Sequence, residues 1–172
     1  MMLKKYYPTY YVEDVFSINY QKLYDSGIRG VLFDIDNTLV PHGKDSTPQV
    51  DALFQKIRET GLQPFLLSDN SEERILRFNK NIGAPYLAEA GKPDPAPYEE
   101  AIRRLGLSKD QVIMVGDQVF TDILGANSCE IPSILVKYIG FYKEEWKGIH
   151  RNLEKIILWF YRKGSPDGRA HV

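Results

Sequence analysis

The sequence predicts an α/β fold, a doubly wound parallel sheet with helices on both faces. Three observations carry this: short, near-continuous apolar runs, capped helical stretches between them, and polar residues gathered where the runs stop. Apolar runs without polar alternation suit strands buried on both faces, as in a parallel sheet.

Five runs are candidate strands. The first is Ile28, Gly30, Val31, Leu32 and Phe33, interrupted by Arg29 and ending at Asp34. The second is Pro64, Phe65, Leu66 and Leu67, ending at Ser68. A weaker third spans 84–88, a fourth is Val112, Ile113, Met114 and Val115 before Gly116 and Asp117, and a fifth spans 133–136. Helices are expected between them. Thr47 and Pro48 read as N-cap and first-turn proline, with Gly61 as the stop. Asn70, three residues before Glu73, opens a second helix in capping-box style, with Ile75 and Phe78 inward and Gly83 past its end. Asp94 and Pro95 open a third that ends at Gly106, and a fourth runs over about 119–128.

Composition bounds the function. The 172 residues are 43% hydrophobic and 26% charged, the profile of one globular domain of ordinary size. The net charge is -1, which argues against a wholesale nucleic-acid coat, so no DNA partner is expected. The charge is uneven: residues 12–136 carry 12 basic and 19 acidic side chains, whereas residues 137–172 carry 8 basic and 4 acidic ones. The single cysteine, Cys129, excludes an intrachain disulfide and reads as a packed residue. The longest apolar run, 156–161, is far below the ~18 residues of a membrane span. Lys4 and Lys5 are followed by tyrosines and Pro8 rather than an apolar stretch, so no signal peptide and a cytoplasmic location are expected.

Asp34, Ser68, Lys92 and Asp117 each lie just past a predicted strand. In open α/β sheets, ligands bind beyond the carboxyl ends of the strands, so four unlike polar groups at that edge look like a site. The sharpest element is Asp34-Ile35-Asp36-Asn37-Thr38. Two carboxylates two residues apart can converge on one cation where the chain turns out of the strand. An oxygen-only donor set fits Mg²⁺. Close carboxyls also push one pKa up, which lets one hold a proton while the other attacks.

These residues resemble the four ordered motifs of the haloacid-dehalogenase (HAD) superfamily of aspartyl-phosphate phosphatases. The motifs are Asp34 to Thr38, Ser68, Lys92 in Gly91-Lys92-Pro93, and Gly116-Asp117-Gln118 with Thr121-Asp122. The resemblance implies a Rossmann-like sheet of five strands in the order 3-2-1-4-5. It implies Asp34 as nucleophile, Asp36 as general acid and then base, and Ser68 and Lys92 as catalytic groups that hold the phosphoryl group with Asp69. Asp34, the Asp36 carbonyl, Asp117 and Asp122 would hold Mg²⁺. Dehalogenases lack the second Asp, transport ATPases carry Thr there, and receiver domains place their Lys last, so those relatives are excluded.

Gaps 39–67 and 69–90 each hold about one helix and a strand, too little for a separate cap domain. The expectation is a single capless domain over 1–172, with an N-terminal arm over about 1–16 and a C-terminal helix over about 145–163. Capless members tend to act on large or tethered phosphates, or to complete their site as a homo-oligomer. A closer resemblance, over about 8–163, is to the YqeG-type class IIIA HAD phosphatases. It rests on Pro8, a helix near 17–26, Gly27-Ile28-Arg29-Gly30, the first motif through Val40, Lys92-Pro93, and 116–122. That group is related to phosphatidylglycerophosphate phosphatases, which implies a lipid-linked phosphate monoester. Relatives usually carry Asn where Asp69 stands, so an extra negative charge lies beside the expected phosphate site.

On a C-terminal helix, Trp146, Ile149, Leu153, Ile156, Ile157 and Phe160 share one face, which is expected to dock on the sheet. Leu158 and Trp159 fall off that stripe near Arg151, Lys155 and Arg162; a second packing surface or peripheral contact with an anionic membrane would use them. The tyrosines at 6, 7, 10 and 11 read as a packed arm, and the 164–172 tail as frayed. His42, near the first motif, could contact substrate but reads rather as a loop histidine, and His150 reads as a surface or packing residue. Two rivals stand beside the lipid reading: a phosphatase of soluble sugar phosphates, nucleotides or nucleic-acid ends, and a non-catalytic scaffold for RNA or a protein partner.

Overall fold

A computed structural model describes residues 3–140 and 145–164 and, within the last helix, the side chains of 152–163. The expectations for Trp146, Ile149, His150, Arg151 and the tail beyond residue 164 fall outside that description. Six strands form one parallel sheet: β1 (Tyr10–Val12), β2 (Gly30–Phe33), β3 (Gln63–Leu67), β4 (Tyr86–Leu87), β5 (Val112–Gly116) and β6 (Ser133–Val136). Their order is β1-β6-β5-β2-β3-β4.

The five expected strands therefore stand in the expected order, and the count of five is corrected to six. The N-terminal arm supplies the extra edge strand, with Tyr10 opposite Ile134 and Val12 opposite Val136. Thr9 Oγ1 accepts the Ser133 N–H at 3.0 Å and Lys137 N–H donates to the Glu13 carbonyl at 3.1 Å, which pins both ends of β1. Three residues reading Tyr-Tyr-Val carry too little periodicity to separate a strand from an arm.

The helices are α1 (Tyr20–Asp25), α2 (Pro48–Glu59), α3 (Glu72–Phe78), α4 (Ala96–Leu105), α5 (Leu124–Ser128) and α6 (Glu145–Gly164). Alternation along the strands divides the core between the two faces. Val31 and Phe33 of β2 join Phe54 and Ile57 of α2 and Ile75 and Phe78 of α3. Leu32 faces the other way, with Tyr98 and Ala101 of α4 and Ala126 of α5. Thr47 caps α2 as expected, its Oγ1 accepting the Val50 N–H at 3.3 Å. The cap of α3 differs: Ser71 Oγ accepts the Arg74 N–H at 3.3 Å, which leaves the Asn70 side chain to other partners.

The chain runs from β2 out to β4, then returns to the other side of β2 at β5. That reversal opens a crevice beyond the carboxyl end of β2, where Asp34 emerges.

The orientation of α6 corrects the expected docking stripe. Ile157 and Tyr161 are buried and Leu158 packs with them against Val119, Ile123 and Leu135. Leu153, Ile156 and Phe160, expected inward, are exposed, as is Trp159. Residues 156–161 are apolar all round the helix, so helical spacing could not select a face. A polar contact selects it: the buried Glu154 carboxylate accepts the Val119 N–H at 3.0 Å.

Candidate active site

The fold brings the polar residues predicted for the site together beyond the carboxyl ends of the strands. Asp34 follows β2, Ser68 follows β3, Asp117 follows β5, and Lys92 lies on the segment between β4 and α4. A hollow of about 140 Å³ is lined by Asp34, Asp36, His42, Ser68, Asp69 and Lys92, among others.

At its floor, Lys92 Nζ donates to Asp34 Oδ1 and Asp122 Oδ1, each at 2.7 Å. Thr38 Oγ1 lies 3.2 Å from Asp117 Oδ1 and 3.5 Å from Asp34 Oδ2, so the last residue of the first motif ties two of the carboxylates. Asp34, Asp117 and Asp122 are buried, and each presents an oxygen within 4.8 Å of the others. Burial pushes the Asp34 carboxyl up to about 7, against the pull of Lys92. Burial also raises Asp122, again opposed by Lys92 and reinforced by Asp117. Burial alone would lower the Lys92 ammonium, but Asp122 and Asp34 hold it well above its ordinary value, so it stays charged. Lys92 brings one positive charge against three carboxylates in a dry site. That surplus of negative charge on hard oxygen donors suits a divalent cation such as Mg²⁺.

Gly116 makes this packing possible. A Cβ there would lie 2.3 Å from Asp122 Cγ. Asp122 sits on a wide π-helical turn, Val119–Ile123, and accepts the Gln118 N–H at 3.1 Å. Behind it, the buried Tyr98 hydroxyl reaches the Thr121 and Asp122 carbonyls at 3.2 and 3.3 Å.

Asp36 faces a different set of partners. Its Oδ1 accepts the Gly43 N–H at 3.1 Å and Arg74 Nη2 at 2.9 Å, and its Oδ2 accepts Asn70 Nδ2 at 2.9 Å. Burial raises its pKa, but the Gly43 N–H, the Asn70 amide and the Arg74 guanidinium outweigh burial and hold it below the usual carboxylate range. Two carboxyls two residues apart thus titrate in opposite directions, but in the reverse of the expected sense: the expected nucleophile, Asp34, is raised and the expected acid, Asp36, is lowered, because burial dominates at Asp34 and hydrogen-bond donors dominate at Asp36. His42, expected as an ordinary loop residue, lies at this mouth with Nδ1 3.1 Å from Asp36 Oδ2.

Ser68 is fully buried, and its Oγ accepts the Asn70 N–H at 3.2 Å and Asn70 Nδ2 at 2.9 Å. The Asp69 carboxylate accepts the Lys92 N–H at 2.9 Å, so the unusual acid ties the loop after β3 to the loop that carries Lys92. Cys129 is buried and packed, as expected.

Sequence reasoning passed over Asn70, Arg74 and Tyr98. Asn70 was read as a helix cap, a role that Ser71 fills. Arg74, on α3, is only 10% exposed, and its Nη2 bonds both Asp36 and, at 2.6 Å, the Lys44 carbonyl. No spacing rule joins α3 to the loop after the first motif, so only the folded chain shows this pair.

The comparisons with known proteins agree with this geometry. The HAD-hydrolase-like family model matches residues 89–155, the stretch holding Lys92, Asp117 and Asp122. The probable phosphatase YqeG of Bacillus subtilis is 32% identical over 159 residues, covering 91% of this chain and 92% of that protein. The chain therefore belongs to the HAD superfamily of phosphatases and, within it, to the YqeG type. Phosphatidylglycerophosphate phosphatase 1 of Arabidopsis thaliana, chloroplastic/mitochondrial, is 29% identical over 94% of this chain, and the chain spans 49% of its length. The fold is also that of 3-deoxy-D-manno-octulosonate 8-phosphate phosphatase from Moraxella catarrhalis, with a TM-score of 0.51 and 16% identity over 81% of this chain and 89% of that one.

Proposed function

We propose that this phosphatase is a Mg²⁺-dependent phosphomonoester hydrolase that works through a phospho-Asp34 intermediate. The observation that supports it most is that Asp34, Asp36, Ser68 and Lys92 line one hollow while Asp117 and Asp122 converge on Asp34 beside it.

In this reading, an Asp34 carboxylate oxygen attacks phosphorus and the P–O bond to the leaving alcohol breaks. Asp36, held ionised in the resting site by Gly43, Asn70 and Arg74, takes up a solvent proton as the substrate binds and gives it to that alcohol. It then takes a proton from water, which attacks phosphorus, releases phosphate and restores Asp34. Ser68 and Lys92 hold the phosphoryl oxygens, and Asp69 keeps the Lys92 loop in place. Asp34, Asp117, Asp122 and the Asp36 carbonyl would hold Mg²⁺, which supplies positive charge for the phosphoryl oxygens and keeps Asp34 ionised. The X-ray relative from Moraxella catarrhalis was crystallised with magnesium and phosphate ions, which supports this choice of cation.

The substrate we propose is phosphatidylglycerophosphate or another large phosphate ester, in the cytoplasm at the inner face of the membrane. A hollow of about 140 Å³ takes a phosphoryl group and leaves the rest of a large substrate outside. Residues 34–62 hold one loop and α2, and residues 68–95 hold α3 and β4, which favours a single capless domain with an open site. Assay of purified protein on phosphatidylglycerophosphate beside sugar phosphates, nucleotides and nucleic-acid ends tests the reading. Turnover of the lipid is expected; turnover of soluble esters alone would remove the lipid assignment.

A further inference from the structure

The outward face of α6 is an unusual surface. Leu153, Ile156, Trp159 and Phe160 are 46, 54, 50 and 45% exposed and lie at helical spacings of three and four. Lys163 Nζ lies 4.0 Å above the Trp159 ring. Beside this stripe, one step round the helix, come Lys155 and Arg162, the latter 5.4 Å over the Tyr11 ring. Glu154 is the one acid among residues 152–163, and it is buried. The exposed half of this stretch is therefore apolar and basic, with no negative charge.

We propose that this face seats the protein on an anionic lipid bilayer. The apolar stripe enters the boundary between headgroups and acyl chains, Trp159 lies at headgroup level, and Lys155, Arg162 and Lys163 meet lipid phosphates. Charge selects this occupant over a second copy of the chain, because two such faces pressed together would set like charges side by side. A cavity of about 280 Å³ lies between α6 and the end of β6, lined by Tyr11, Lys137, Lys155 and Leu158, with Asp117 at its edge. The purpose of the seat rests on the lipid-phosphate reading; the surface itself does not.

The test uses the full chain, sedimented with vesicles of phosphatidylglycerol and phosphatidylcholine or of phosphatidylcholine alone. The expected result is co-sedimentation with the anionic vesicles only, reversed by salt, and weakened about tenfold by W159A/F160A or by I156E. Hydrolysis of a soluble aryl phosphate should be unchanged in these variants, which shows that they fold. No binding by the wild-type chain, or equal binding by the variants, overturns the proposal. So does light scattering that shows a dimer which these variants split without any effect on vesicles. Loss of aryl-phosphate turnover in the wild type would instead sink the catalytic reading and leave the vesicle result standing.

Discussion

The polar rim beyond the strand ends and α6 were read from the same kind of information, residue type and spacing; the structure gathers the first as expected and turns the second. At the rim, Asp34, Ser68 and Asp117 stand at strand ends, the segments just beyond carry Lys92 and Asp122, and the parallel sheet brings these ends together. On α6, residues 156–161 are apolar in every direction, and one buried contact from Glu154 to the Val119 N–H decides which side faces in. Spacing locates chemistry where the fold has one edge for it. It fails where several faces are equally apolar.

Substitutions should separate the two regions by size of effect. The largest falls on the nucleophile: Asp34→Asn should remove hydrolysis of an aryl phosphate in Mg²⁺, since an amide cannot take the phosphoryl group. Asp36→Asn should lower kcat by about 10²–10⁴-fold, the range for loss of a general acid–base, measured by steady-state kinetics. Comparable activity in either variant would break the division of roles between the two carboxyls.

A smaller loss is expected at Arg74, which touches Asp36 but no motif residue beyond it. Arg74→Ala should lower kcat about ten- to a hundred-fold with little change in KM, and Arg74→Lys should restore part of it. An unchanged kcat would mean that the four motifs suffice without α3. Gly116→Ala should cost about 1–3 kcal/mol of stability by denaturant unfolding, because the new methyl meets Asp122.

The pH dependence follows from Asp34. Its folded-state pKa is raised from 3.8 to about 7, so the folded chain holds this proton more tightly than the unfolded one. Stability from this group is fully present below about pH 4 and is lost as pH rises through 7. Asp34→Asn should therefore raise the Tm of the chelated protein above pH 7, and the gain should shrink near pH 4 and in saturating Mg²⁺. A lower Tm for the variant at pH 8 would show that the Lys92 contact outweighs burial. The smallest effect belongs to α6: W159A/F160A should leave soluble turnover alone, which sharpens the contrast between rim and helix.

Most of the sheet and the motif residues were legible because buried parallel strands announce themselves as apolar runs. β1 was not, since three residues of an edge strand look like any tyrosine-rich arm. Asn70 was misassigned because Asn and Ser71 are both good caps, and only one is needed. Arg74 was missed, and the contact of His42 with Asp36 was not foreseen, because both depend on Asp36, which lies 38 and 6 positions away in the chain. Asp69 was seen only as an extra negative charge; that its carboxylate also accepts the Lys92 N–H needed the folded chain.

The most direct measurement is acid quenching of the enzyme during turnover, followed by mass spectrometry of its peptides. The account predicts a phosphate on the peptide containing Asp34, absent from the Asp34→Asn protein. A quenched, actively hydrolysing enzyme with its phosphate on another residue, or with none under conditions that trap acyl phosphates, would contradict it.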